Sequence, residues 1–323
     1  MKNIYFLIIL NIVFFLLNLY SGSVSIPMSD VTNILLGNDS VNKAWSFIIL
    51  QSRFPAAITA MLTGSALGVC GLLLQSYFRN PLAGPSILGI TSGANLAVAV
   101  CTLGFGIVSG ITLSFTAMIG ALAILLMLLA IGRIVREPVT MLIVGILVSY
   151  ITNAIITLLN YYASADGIQS LMIWGMGSFN GVGMQDLWIY ALIILAGFTL
   201  SVFLIKPLNG WMLGELYAIN LGIDIRRTRL LTLTATGLLA AVTTAYCGPI
   251  AFIGLSIPHV ARMMMHTDNH RSLLPVSALL GALCASICLF ISTLPSSGRL
   301  LPINALTPIF GVPVIIYVLI RKK

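Results

Sequence analysis

The chain has 323 residues, of which 59% are hydrophobic and only 7% charged, and its formal net charge is +8. A soluble domain is charged at about 25% of its positions, so this sequence has no means of covering itself with a hydrated surface and is read as an integral membrane protein. The positive balance, a nucleic-acid signal in a soluble chain, is read here as topology, because cytoplasmic loops collect Lys and Arg.

A membrane-spanning helix needs roughly 20 apolar residues, and long uncharged runs favour helices over the short alternating segments of a barrel. The first run, "MKNIYFLIILNIVFFLLNLYSGS", has the layout of a signal peptide, but its apolar stretch is long for a signal core and is read as a retained helix over 4–20. Further spans are expected at 55–77, 87–107, 111–132, 140–161, 187–205, 230–247, 251–265, 275–294 and 304–320. This gives an all-α protein of about ten transmembrane helices, forming a single transmembrane domain over 1–323. Residues 21–54 are expected as an outer loop, and 162–186 as a second whose glycines preclude one continuous helix. The most polar stretch, 206–229, is expected as the largest cytoplasmic segment. With the N-terminus inside, thirteen basic residues fall on the cytoplasmic side and three, Lys43, Arg53 and Arg299, outside. That partition puts both termini in the cytoplasm.

A weak internal repeat runs through this pattern. An offset of 173 carries Arg53 and Thr63-Gly64 onto Arg226 and Thr236-Gly237, and Pro85 onto Pro258. The helices holding these pairs run in opposite directions in the expected topology, and inverted repeats are a transporter signature.

The eight acidic residues, Asp30, Asp39, Glu137, Asp166, Asp186, Glu215, Asp224 and Asp268, all avoid the middle of a span. Carriers driven by protons or sodium commonly use an intramembrane carboxylate, and no phosphate-binding GxxxxGK[ST] loop is present. A partner ATPase is therefore the economical energy source, and an enzyme reading finds no catalytic constellation. The five cysteines lie mostly in apolar runs and are read as packing residues. His266 and His270 in "HTDNHR" have spacing for a shared metal, yet the stretch reads better as a solvated turn. No metal and no cofactor are expected on this chain.

In "GELYAINLGIDI", Glu215, Ala218 and Leu221-Gly222 mark a short amphipathic helix closed by a left-handed glycine. It is either a passive interfacial helix or a docking element. In the second case Leu216 and Ile219 enter a partner's groove, and Arg226, Arg227 and Arg229 hold the segment to the membrane surface. In "GPIAFIGLSIPHVAR", Gly248 and Pro249 are expected to make an outer turn, Gly254 to allow close packing, and Pro258 to break or kink a short helix. His259 and Arg262 are then an anchor near its cytoplasmic end.

These motifs resemble the FecCD-type permeases, membrane subunits of ABC importers for iron–siderophore complexes, haem and vitamin B12. The matching stretches are "RFPAAITAMLTGSALGVCGLLLQSYFRNPLAGPSILGITSGA", "WGMGS", "GELYAINLGI", "GPIAFIGLSIPHVAR" and "LPINALTPIFGVP". The resemblance implies a homodimer in the bacterial inner membrane, with two ATP-binding subunits below it, which use ATP and Mg, and an external substrate-binding protein docking from above. It implies that Gly214, Glu215, Leu216, Ala218, Ile219, Leu221 and Gly222 form the ATPase-coupling element. It also implies that Arg53 docks the binding protein and that Asn80 and Pro81 belong to the inner gate. The chain departs from the family at Ala56, where a second arginine is frequent, and at Gly84, where an acid is. Thr293 stands where an arginine is typical, leaving the displaced Arg299 as the second docking candidate. The expected function is a permease subunit carrying a bulky metal chelate by alternating access, iron–siderophore or haem before cobalamin. The alternative is a self-sufficient secondary transporter of a hydrophobic or chelated solute.

Overall fold

A computed structural model describes residues 2–37, 42–135, 137–294 and 300–321. Among the described residues all regular structure is helical. In chain order the helices are α1 (Lys2–Tyr20), α2 (Met28–Leu35), α3 (Lys43–Phe47), α4 (Phe54–Phe78), α5 (Ile90–Ala99), α6 (Gly110–Ile134), α7 (Pro138–Tyr162) and α8 (Ala165–Gly175). They continue as α9 (Leu187–Phe203), α10 (Ile205–Met212), α11 (Glu215–Asn220), α12 (Ile225–Cys247), α13 (Ile253–Met265), α14 (His270–Ser292) and α15 (Ile303–Arg321).

Every expected span falls on a helix, but the helices differ in reach. Six described helices are long and apolar enough to cross a membrane, or seven if α9 and α10, bent by 47°, count as one. The span expected at 251–265 is only 13 residues long, about 20 Å at 1.5 Å per residue, against a hydrocarbon core of about 30 Å. Such a helix is satisfied by burial in protein, and α13 packs against α4, α14 and α15.

The expected outer loop at 21–54 is largely helical. α2 occupies part of it, and Lys43–Phe78 runs as one helical stretch of 36 residues. Its weak point is Pro55, which has no N–H for the ladder. The six residues before it, Ile48–Arg53, widen into a π-helix, and the Phe54 N–H bonds the Ile49 carbonyl. The wider turn absorbs the proline without a break.

Helix α4 is the centre of the bundle, flanked by α14, α13, α12 and α9. With lipid outside there is no hydrophobic drive between helices, so close packing of small residues holds them. A Cβ at Gly64 would lie 2.1 Å from the Gly281 carbonyl oxygen, and one at Gly71 only 1.7 Å from that of Gly254. The second contact explains Pro258. Helix α13 is not broken there but continues past it, and the missing N–H frees the carbonyl four residues back, which is Gly254. That oxygen is tucked against Gly71 of α4.

The internal repeat is visible in the packing. α4 lies on α14 as α12 lies on α6, and α5 sits between α6 and α7 as α13 sits between α14 and α15. The matched glycines mark the crossings: Gly64 meets Gly281 on α14, and Gly237 meets Leu125 on α6. The matched threonines, Thr63 and Thr236, are buried and bond back to the carbonyls of Thr59 and Thr232. At the periphery, α1 is fixed by asparagines. Asn11 and Asn18 donate to the Leu279 and Ser286 carbonyls of α14 at 3.1 and 3.0 Å.

Candidate functional site

The chain ends α10 at Met212 and reverses through Leu213 and Gly214, whose φ of +127° only glycine adopts without strain. Then α11 makes six residues and is closed by Gly222 at φ +75°. The Gly222 and Ile223 N–H groups bond the Ile219 and Ala218 carbonyls at 2.9 and 3.0 Å, so the expected left-handed glycine stop is present. One residue seats the helix: Ala218 is fully buried. The others face out, with Leu216 77% and Ile219 53% exposed, and Tyr217 and Leu221 exposed beside them. Asp224 then caps α12, accepting from the Arg227 N–H at 3.0 Å and pairing with its guanidinium at 3.0 Å.

This apolar knob stands on the last turn of α4, where consecutive side chains reach different helices. Gln75 holds α13, donating to the Leu255 carbonyl at 3.0 Å and accepting from Arg262 at 2.7 Å. Ser76 meets His270 Nε2, at the start of α14, at 2.7 Å. With its proton on Nδ1, His270 donates to Asn209 Oδ1 of α10 at 2.7 Å, and Ser76 donates to Nε2. Tyr77 stacks on Trp211 of α10 with ring centroids 5.8 Å apart and accepts at its hydroxyl from Arg229 of α12 at 3.0 Å. Arg79 follows in the left-handed region at φ +48°; it covers the other part of Trp211 at 4.8 Å and donates to the Trp211 carbonyl.

Asn80 and Pro81 come next. Asn80 Oδ1 accepts from the Leu82 N–H at 2.9 Å, making an Asx turn, and the Pro81 carbonyl contacts His259 Nε2 at 2.8 Å. Arg262 pairs with Asp268 at 3.3 Å. A cavity of about 560 Å³ is lined by Arg79, Pro81, Met212, His259 and Arg262, among others. The structure thus brings the residues expected for coupling and for the gate to one end of the bundle. His259 and Arg262 do anchor there, to the Asn80-Pro81 turn and to α4.

Two other expectations at this end are corrected. Arg229 does not lie on the membrane surface with Arg226 and Arg227. It is buried, and it donates to the Gly132 carbonyl at 3.0 Å, to that of Val135, and to Tyr77. Arg229 lies about 200° around the helix from Arg227 and about 60° from Arg226, and it falls on the inner side with Thr228 and Thr232. His270 is not in a solvated turn but is fully buried, because α14 begins there and points its first turn at α4. Among the described residues, no group of three His, Cys, Asp or Glu converges to hold a metal ion.

Arg53 stands at the far end of α4, about 37 Å away by helix rise, and Arg299 lies outside the described residues. Arg53 is only 8% exposed. It donates to the Leu19 and Tyr20 carbonyls at 2.9 and 3.2 Å and to that of Val24. Gly22 makes room for it, since a Cβ there would lie 2.7 Å from the guanidinium. The side chain expected to be offered to a docking protein is engaged in closing the end of α1. Arg53→Ala should therefore lower the melting temperature of the purified permease without any partner, at a cost of about 1–3 kcal/mol for carbonyls left without donors. Unchanged melting with lost binding-protein affinity would return Arg53 to a docking role.

The described acids sit at helix starts. Asp30, Asp166 and Glu215 lie in first turns, Glu137, Asp186 and Asp224 at N-caps, and Asp268 in the turn paired with Arg262. Negative charge is favourable at those positions.

Comparison with known proteins bears on the whole chain. The model of the FecCD transport family matches residues 9–321. A vitamin B12 import system permease protein, BtuC, from Citrobacter koseri is 36% identical over 279 residues, 85% of this chain and 83% of the relative. The protein of the same description from Klebsiella pneumoniae is 37% identical over 278 residues. Among solved structures, an inward-facing metal-chelate type ABC transporter superposes with a TM-score of 0.86 at 27% identity, covering 100% of this chain and 99% of that one. PsaBC from Streptococcus pneumoniae, at 18% identity and a TM-score of 0.57, shares the fold. The chain belongs to the FecCD transport family and is a multi-pass permease subunit of an inner-membrane ABC importer.

Proposed function

We propose that this permease works as a homodimer that passes a bulky metal chelate through its dimer axis by alternating access. Two ATP-binding subunits seat on α11, and an external binding protein delivers the chelate at the Arg53 end. The observation that carries the reading is α11 itself: Leu216, Tyr217, Ile219 and Leu221 stand exposed on a helix locked by two glycine turns at a polar, basic end of the molecule. An apolar helix face presented this way is what a groove on a partner takes up. The ATP and Mg belong to that partner, and this chain binds no cofactor of its own. The same end carries Arg79, Lys206, Arg226, Arg227 and Arg271, which supports a cytoplasmic side for it and, with it, for both termini.

The cargo class is argued from kinship. The relatives import vitamin B12 and the structural neighbour is of metal-chelate type, which makes cobalamin the first candidate, with ferric siderophores and haem in the same class. Reconstitution into vesicles tests all of this. With the ATPase subunits and binding protein present, ATP inside should drive uptake of one of these chelates. Uptake by the permease alone under a proton gradient would instead establish a secondary carrier.

A further inference from the structure

Resting on the reading of α11 as the docking helix, we propose that Tyr77 is a positioning residue. It locks the coupling segment, the base of α4 and the base of α12 into one block, through a set made of Trp211, Tyr77 and Arg229. Helix α11 is held by little besides Ala218, so a push on it must pass through its two attachments. On one side it leads through Gly222 and the Asp224 cap into α12, and on the other through Gly214 into α10.

Tyr77 closes the triangle between them. Trp211 of α10 donates its indole N–H to the Tyr77 carbonyl at 2.8 Å, while the two rings stack at an interplanar angle of 16°. The Tyr77 hydroxyl accepts from Arg229 Nε at 3.0 Å, and the same guanidinium reaches the end of α6 at the Gly132 and Val135 carbonyls. All three side chains are buried. The stack fixes separation, the indole bond fixes register along α4, and the planar arginine fork fixes rotation of α12.

The helices joined this way are α4 and α12, the repeat-related pair. The residues that follow Tyr77 lead within a few positions to the Asn80-Pro81 turn. A displacement of α11 is thus delivered to both halves of the repeat together and to the gate turn. Without the hydroxyl bond, α4 follows α11 only through Trp211 and α12 only through the Asp224 cap, and the two are no longer held in step.

The separating experiment uses the complete assembly of permease, ATPase subunits and binding protein in vesicles, with cobalamin, haem and a ferric hydroxamate siderophore offered in turn. Tyr77→Phe keeps the ring on Trp211 and removes only the hydroxyl. The assembly should form at the unmodified level and hydrolyse ATP at a similar rate. Chelate taken up per ATP should fall about tenfold, the low end of what losing one charge-assisted bond does to a two-state ratio. A ratio within about twofold of the unmodified assembly overturns the proposal, whatever happens to yield or melting temperature. Trp211→Phe, which keeps a ring and loses the indole N–H, is read the same way should Tyr77→Phe not assemble. Failure of both to assemble also overturns it, because the contact is then purely structural. If the unmodified assembly takes up none of the chelates with ATP, the functional reading fails, and that result is distinct from an unchanged ratio.

Discussion

Replacing Leu216 or Ile219 with Asp is expected to release the ATP-binding subunits from this permease while leaving the permease folded. Both side chains are mostly exposed, so a carboxylate in either place meets water in the free chain. Helix α11 also keeps Ala218 as its seat and Gly214 and Gly222 as its ends. On the proposed docking of α11, the same side chains enter an apolar groove of the ATPase. A carboxylate carried there without a partner costs about 3–5 kcal/mol, which weakens binding by hundredfold or more. Co-purification should fail for either variant, with melting of the isolated permease unchanged. Glu215→Gln, at the first turn and outside that apolar face, should keep the complex. Retention of the ATPase by both Asp variants would show that α11 is only an interfacial helix, and the docking surface would have to be sought elsewhere at this end.

How much of this was legible in the sequence depends on what each feature rests on. The positions of the helices follow from apolar runs, and the ends of α11 from glycines whose backbone angles no other residue takes up easily. Those are local properties, and the expected docking helix has the expected shape. Lengths were less legible. The stretch 21–54 reads as a loop because it is polar in patches and ends at a proline, whereas the π-helix at 48–53 carries the chain through Pro55 without a break. Pro258 misleads in the same way, since its effect depends on Gly71 of another helix receiving the Gly254 carbonyl.

The side chains that join the site were least legible of all. Arg226, Arg227 and Arg229 look alike in sequence, and only the rotation of α12 turns the third onto Tyr77. His270 reads as polar loop until α14 is seen to start on it. Tyr77 sits inside a matched stretch, at "QSYFRN", and Trp211 lies just ahead of another, at "NGWMLGEL", but their pairing joins residues 134 positions apart. Arg53 shows the converse. Its identity fits a docking residue, yet three carbonyls left open by the turn after α1 claim it first.

The largest effect on folding is expected at Gly71. Its added Cβ would stand 1.7 Å from the Gly254 carbonyl oxygen, with the carbonyl carbon at 2.6 Å and Gly254 Cα at 3.0 Å. Every obstacle is backbone, so no rotamer change can relieve it, and α13 must move bodily away from α4. That movement also takes the Gly254 carbonyl away from Gly71, after Pro258 has already denied it a ladder bond. Overpacking of a core costs about 1–3 kcal/mol when side chains can yield, and Gly71→Ala should exceed that range. The Gly64 crossing with Gly281 is of the same kind, its obstacle again a carbonyl at 2.1 Å. Purified Gly71→Ala permease should therefore melt well below the unmodified chain or fail to accumulate. Gly183→Ala, where a Cβ meets nothing within 4 Å, should change melting by no more than about 0.5 kcal/mol equivalent. Because α13 carries His259 to the Asn80-Pro81 turn, any Gly71→Ala protein that does fold should also hold that turn loosely. Faster cross-linker access to a cysteine placed at Pro81 would report it. Equal melting of the two variants would mean that α4 and α13 can separate at little cost, and the close glycine crossing would not be what holds the short helix in place.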